Sequence, residues 1–145
     1  MPATPSRSDA GGAPPPARPV ILLVEDHQDT RQMYAEFLSV SFEVLSAADG
    51  HTALEILRSA RPDLLITDLS LPGLDGFELI ALVRRDPVIA RTPIICLSGY
   101  SGQAYEMRAR QAGCDRILQK PCMPDALAAI ALDVLLSVRN PGIQS

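Results

Sequence analysis

Leu64-Leu65-Ile66-Thr67-Asp68, followed by Leu69-Ser70-Leu71-Pro72-Gly73-Leu74-Asp75-Gly76, decides the reading of this chain. Four mostly branched apolar residues form a run that fits a strand buried on both faces, and a carboxylate closes it. A loop rich in Pro and Gly then leads into a helical pattern. Open α/β sheets place their chemistry at the carboxyl ends of buried strands, so Asp68 becomes the candidate centre. Taken alone, Asp68 reads equally well as a turn or helix-capping residue.

Neighbouring stretches repeat the pattern on both sides. Val20-Ile21-Leu22-Leu23-Val24 is a second apolar run, ending in Glu25-Asp26. Asp29 through Gln32 resembles a capping box, and Met33, Phe37 and Val40 follow at helical spacing. Glu43 to Ala47 reads as a strand. A helix after Asp49-Gly50 places Ala53, Leu54, Leu57 and Ala60 on one side and stops at Arg61-Pro62. The helix starting near Asp75-Gly76 buries Phe77, Ile80 and Val83. Pro93 to Ser98 is the next strand, and a helix over 102–112 ends at Gly113. Arg116 to Gln119 is a short strand before Lys120-Pro121, and a last helix runs from Pro124 to Val138. Five strands alternating with five helices through short connections imply an α/β fold, a parallel sheet covered on both faces.

Composition bounds the function classes. The 145 residues suit one domain, and 47% hydrophobic residues with only 4% aromatics imply an aliphatic core. The segment 1–18 holds five Pro, two Gly and no large apolar residue, and is expected to be a disordered extension. The folded domain is expected over 19–138, with a tail over 139–145. A formal charge of −4, without clustered Lys or Arg, argues against direct nucleic-acid binding. No apolar run reaches the roughly 18 residues of a membrane span, and no signal-peptide core is present. The three cysteines, Cys96, Cys114 and Cys122, show no metal-type spacing, and a reducing, cytoplasmic setting is expected.

Four strand ends carry chemistry: Glu25-Asp26, Asp68, Ser98 and Lys120. A parallel sheet brings all of them to one edge. Three carboxylates there repel each other unless a cation joins them. Oxygen ligands with room for water favour Mg²⁺, held by Asp26 and Asp68. Glu25 would act mainly through water, and a backbone carbonyl after Asp68, that of Ser70, would complete the set. Asp68 would attack phosphorus, Mg²⁺ and Lys120 would neutralise the phosphoryl oxygens, and Ser98 would donate to the bound group. His27 reads as a loop residue near the metal and His51 as a helix-surface residue.

The stretches Val24-Glu25-Asp26-His27, Thr67 to Gly76, Leu97-Ser98-Gly99 and Gln119-Lys120-Pro121 resemble the motifs of response-regulator receiver domains of two-component signalling. The resemblance covers about residues 19–138. It implies a flavodoxin-like (βα)₅ fold with strand order 2-1-3-4-5, an arrangement that the flavodoxin-like class shares with another receiver. It implies that Asp68 takes a phosphoryl group from a histidine kinase or a histidine phosphotransfer protein. Glu25 and Asp26 would be the acidic pair, Ser98 the switch hydroxyl, Lys120 the family's lysine, and the Lys120-Pro121 peptide cis. Ile117 stands where the family commonly has an aromatic that moves with the hydroxyl; Tyr100 and Tyr105 are the candidates to replace it.

Output is expected through protein contacts, because no further domain is evident. Between Ala126 and Val138 the one charged residue is Asp133, so the last helix has more apolar surface than one face needs. An effector or homodimer surface over the fourth helix, fifth strand and fifth helix is the expectation, with Leu135 in it. A phosphorelay intermediate or phosphate sink is the nearest alternative. A Mg²⁺-dependent phosphohydrolase lacks its second acid, since Ser70 stands two residues after Asp68. A flavodoxin-like cofactor binder would meet repulsion from Glu25, Asp26 and Asp29. A phosphorylation-independent binding module is the remaining reading.

Overall fold

The computed structural model describes residues 17–99 and 102–139. Most of the expected extension 1–18, Tyr100, and the tail beyond Arg139 therefore lie outside the described residues. The elements alternate strictly: β1 (Val20–Val24), α1 (Gln28–Leu38), β2 (Glu43–Ala47), α2 (Gly50–Ala60), β3 (Leu64–Asp68), α3 (Gly76–Arg85), β4 (Ile94–Ser98), α4 (Gln103–Ala112), β5 (Arg116–Gln119) and α5 (Pro124–Arg139). The five strands form one parallel sheet in the order β2-β1-β3-β4-β5.

Burial follows position in the sheet. Every residue of β3 and β4 is buried, as strands covered on both faces require, whereas the edge strands β2 and β5 are mixed. Alternate strand residues feed two cores. Leu22, Leu65, Ile94 and Cys96 pack under α2, α3 and α4 with Leu57, Phe77 and Ile80. Ile21, Leu23, Ile66, Ile95 and Leu97 pack under α1 and α5 with Tyr34, Leu38, Leu127 and Ala131. Each fully buried Leu or Ile contributes about 1.5–3 kcal/mol.

Four local expectations are corrected. Residue Asp29 does not cap α1: the N-cap is His27, without a side-chain cap bond, and Gln32 donates instead to Glu36 (3.1 Å). The helix starts earlier because Arg31 N–H already bonds the His27 carbonyl (2.9 Å). The inward face of α1 is Tyr34 and Leu38, while Met33, Phe37 and Val40 are 42%, 44% and 76% exposed. Tyr34 wins the core because its hydroxyl donates to the Cys122 carbonyl (2.7 Å), which fixes the ring between α1 and the β5–α5 loop. Residue Ala60 is exposed, while the rest of its expected face, Ala53, Leu54 and Leu57, is buried. On α5, Leu135 is core, and Leu132 and Leu136 are the half-exposed residues.

α3 is positioned with particular care. Asp75 caps it through the Glu78 N–H, and Glu78 reaches back to the Asp75 N–H, a reciprocal capping box. Its first residue must be glycine. A Cβ at Gly76 would stand 2.5 Å from the Asp68 carbonyl oxygen and from the Leu69 Cα. The helix start therefore presses directly on the tip of β3.

Candidate functional site

The carboxyl edge of the sheet gathers the predicted side chains. Glu25 and Asp26 follow β1, Asp68 ends β3, Ser98 ends β4 and Lys120 follows β5. Lys120 Nζ donates to Asp68 Oδ2 at 2.6 Å and to Glu25 Oε1 at 2.9 Å. Glu25 is fully buried, Asp68 and Ser98 are nearly so, and the Lys120 side chain is 24% exposed. The Lys120-Pro121 peptide is cis, and the Lys120 N–H donates to the Ser98 carbonyl (2.7 Å), which fixes the lysine against the end of β4.

Backbone donors complete the arrangement. The Ser70 N–H donates to Asp68 Oδ1 (3.1 Å), and the Thr67 hydroxyl donates to the Asp68 carbonyl (2.9 Å). Both Asp68 oxygens thus have a donor. The His27 N–H donates to Glu25 Oε2 (3.1 Å), and Arg31 holds the Glu25 carbonyl (2.8 Å). Arg31 and the His27 backbone are contributions that spacing alone does not reveal. A helix arginine carries no mark of the carbonyl it will reach.

The electrostatics divide the carboxylates. Burial pushes Asp68 above the ordinary aspartate value, and Lys120 and Ser70 only partly offset it. Burial acts on Glu25 in the same sense, but the Lys120 and His27 hydrogen bonds outweigh it and hold the carboxyl below its usual range. Lys120 suffers the same desolvation, yet its two carboxylates keep its pKa above the ordinary lysine value.

Asp26 behaves differently. Its Oδ1 is buried and, among the described residues, has no hydrogen-bond partner. Such an atom is costly unless something positive meets it. Glu25, Asp26 and His27 each offer a ligand atom within 4.8 Å of the others. The donors present therefore fit a divalent cation. Asp26 and His27 open onto a concavity of about 420 Å³ that Asp68, Ser70, Gly99 and Lys120 also line, while Glu25 stays buried behind it. An ammonium beside cation-seeking carboxylates suits an anionic phosphate-like group.

The surroundings differ from the expected aromatic arrangement. Ile117 is half-buried against the core that lies under α2, α3 and α4. Tyr105 of α4 packs against that same core and meets Phe77 edge-on, with centroids 5.2 Å apart. The Arg108 guanidinium lies over the same Phe77 ring at 4.0 Å. His51 is exposed on α2, and the three cysteines are free. No helix among the described residues is long and apolar enough to cross a membrane.

Comparison with known proteins gives a consistent result. The family model described as the response regulator receiver domain matches residues 21–132. The chain is 37% identical over 125 residues to the sensor histidine kinase TmoS of Ectopseudomonas mendocina, covering 86% of this chain and 13% of that protein. It is 28% identical over 102 residues to the polar-differentiation response regulator DivK of Brucella anthropi, covering 70% of this chain and 83% of DivK. Among solved structures, the chemotaxis response regulator CheY4 of Vibrio cholerae superposes with a TM-score of 0.77 at 30% identity, covering 81% of this chain and 99% of CheY4. The chain thus spans a small part of the kinase it matches and most of the two regulators.

Proposed function

We propose, for a chain that belongs to the response regulator receiver family, that Asp68 is its phosphoacceptor and that the module signals by changing its protein contacts. The donor is the phosphohistidine of a histidine kinase or a histidine phosphotransfer protein. Two matched relatives are named as histidine kinases, which supports this donor class. The observation that carries the reading is the ammonium of Lys120 held 2.6 Å from a buried Asp68 carboxylate, beside an acidic pair with an unpartnered oxygen.

An Asp68 oxygen attacks phosphorus, a P–O bond forms and the P–N bond breaks with its electron pair going to the ring nitrogen, and the donor imidazole leaves as a neutral ring because its other nitrogen carries a proton taken from solvent. Burial keeps the carboxylate poorly solvated and hence a better nucleophile. Lys120 already sits on Asp68 and meets the phosphoryl oxygens without a large movement. Asp26, Asp68 and the Ser70 carbonyl would hold Mg²⁺, with Glu25 acting through water, and the ion would supply Lewis-acid charge neutralisation when bound. The Ser98 hydroxyl, at the end of β4, donates to the phosphoryl group and ties it to the loop before α4.

A groove of about 630 Å³ adjoins the pocket and shares His27 and Lys120 with it. Met33, Pro121, Cys122, Met123 and Pro124 make it largely apolar. This continuity gives the phosphodonor protein a seat against the site. Output uses exposed apolar side chains elsewhere, Met107 on α4 and Leu132 and Leu136 on α5, toward an effector protein or a second copy. The setting is cytoplasmic, where such donors reside.

The test is transfer from a purified, radiolabelled phosphohistidine protein to this chain. Label on the wild type, none on Asp68→Asn, and loss with chelator support the reading. Label that persists on Asp68→Asn contradicts it.

A further inference from the structure

His27 is 75% exposed, yet its ring is turned onto the acidic pair. Nδ1 lies 3.2 Å from Glu25 Oε2 and 3.4 Å from Asp26 Oδ1. Glu25 meets Lys120 through its other oxygen, Oε1, so Oε2 faces the imidazole side. Ligand bonds of about 2.1 Å at tetrahedral or octahedral angles place neighbouring donors roughly 3.0–3.4 Å apart. Both imidazole–carboxylate distances are therefore already those of neighbouring donors in a coordination shell, and the three residues' ligand atoms lie within 4.8 Å of one another. A hydrogen bond from Nδ1 accounts for Glu25 Oε2 but leaves Asp26 Oδ1 buried without a hydrogen-bond partner among the described residues.

Mg²⁺ makes little use of an imidazole, whereas late first-row cations gain strongly from one. We infer that His27 is a metal ligand, joining Asp26 and Glu25 in a nitrogen–oxygen site that binds a borderline transition cation such as Zn²⁺ or Co²⁺ in preference to Mg²⁺. The inference rests on the proposed function only in placing a divalent cation beside Asp26. The site then carries two metal choices, and the cation it holds depends on the local supply of transition metal. His27→Ala isolates the ring's contribution, because it keeps the backbone N–H that anchors Glu25.

The experiment is calorimetric titration of the full chain with Zn²⁺, Co²⁺ and Mg²⁺, on the wild type, His27→Ala and Asp26→Asn. Co²⁺ absorption serves as a second readout. Even outer-sphere partners cost ~10–100-fold in affinity, so loss of the direct ligand in His27→Ala should weaken Zn²⁺ at least ~10-fold. Mg²⁺ affinity should stay within about 2-fold, because imidazole contributes little to it. Asp26→Asn should weaken both ions, and the Co²⁺ spectrum should change when His27 is removed. Equal Zn²⁺ affinity in the wild type and His27→Ala, with Mg²⁺ bound, overturns the inference and leaves the proposed function standing. Zn²⁺ binding that survives Asp26→Asn places the ion elsewhere and also overturns it. Failure of every divalent ion to bind overturns both the inference and the proposed Mg²⁺ site.

Discussion

Replacing Lys120 with Met keeps the length of the side chain and removes its charge. The consequence is set by what Lys120 holds: Asp68 at 2.6 Å and a fully buried Glu25 at 2.9 Å. At an effective dielectric near 20, each contact is worth about 6 kcal/mol before desolvation. Desolvation of three charges removes most of that, and breaking a buried pair usually costs ~3–5 kcal/mol. Because Lys120 is partly exposed, about 3 kcal/mol near neutral pH is the expected loss. For a domain of this size that is a fall of roughly 10 °C in Tm.

The pH dependence carries the sharper test. In the wild type, Glu25 is held below its ordinary value of 4.5, so its contribution is present above that pH and is lost as pH falls through its folded pKa. Lys120 is held above its ordinary 10.5, so its contribution is full below that pH and fades as pH rises through its folded value. Without Lys120 its two lowering influences on Glu25 are gone and burial, which raises the pKa, is the largest influence left, so the variant loses less stability than the wild type as pH falls. The gap between wild type and variant is therefore widest from about pH 6 to 9 and narrows below about pH 4.5. Urea unfolding followed by circular dichroism at both ends measures it. A gap under ~0.5 kcal/mol near neutral pH, or one of equal size at both pH values, refutes the reasoning.

Three further outcomes follow from other contacts. Gly76→Ala drives a Cβ to 2.5 Å from the Asp68 carbonyl and Leu69 Cα; it should cost about 1–3 kcal/mol in urea unfolding and slow labelling by acetyl phosphate. Leu135→Glu should cost more than ~3 kcal/mol by burying a charge, whereas Leu136→Glu, at a half-exposed position, should stay within ~0.5 kcal/mol. The Arg84 guanidinium donates to the carbonyls of Gly113, Ala90 and Thr92 and pairs with Asp115, tying α3 to the segments that lead into β4 and β5. Arg84→Met should lose ~2–4 kcal/mol in the same unfolding assay, and Arg84→Lys should recover little of it, because an ammonium lacks the planar fork.

The sheet was legible because its central strands are unambiguous. Leu64 to Asp68 and Ile94 to Ser98 are buried at every position, so continuous apolar runs bounded by turns read directly as parallel strands. The gathering of Glu25, Asp26, Asp68 and Lys120 followed from topology, since parallel strands bring their carboxyl ends to one edge. Helix faces were harder. Tyr34 and Leu38 interleave with Met33 and Phe37 at the same four-residue spacing, and periodicity does not say which pair faces inward. The decision came from a hydroxyl reaching a carbonyl 88 residues away. α5 posed the same problem with too many apolar residues, and Leu135 rather than Leu136 packed inward. The Asp29 capping pattern was overridden because Glu25 and Arg31 fix the chain at His27. His27 itself drew little notice because its meaning lies in which way its ring turns, a property that spacing does not encode.

The most direct test of the central claim is intact mass after incubation with acetyl phosphate and Mg²⁺, for the wild type and Asp68→Asn. The account predicts one phosphoryl adduct on the wild type, lost with chelator and absent from Asp68→Asn. A wild type that never takes the adduct, or an Asp68→Asn protein that takes it equally, contradicts Asp68 as the phosphoacceptor.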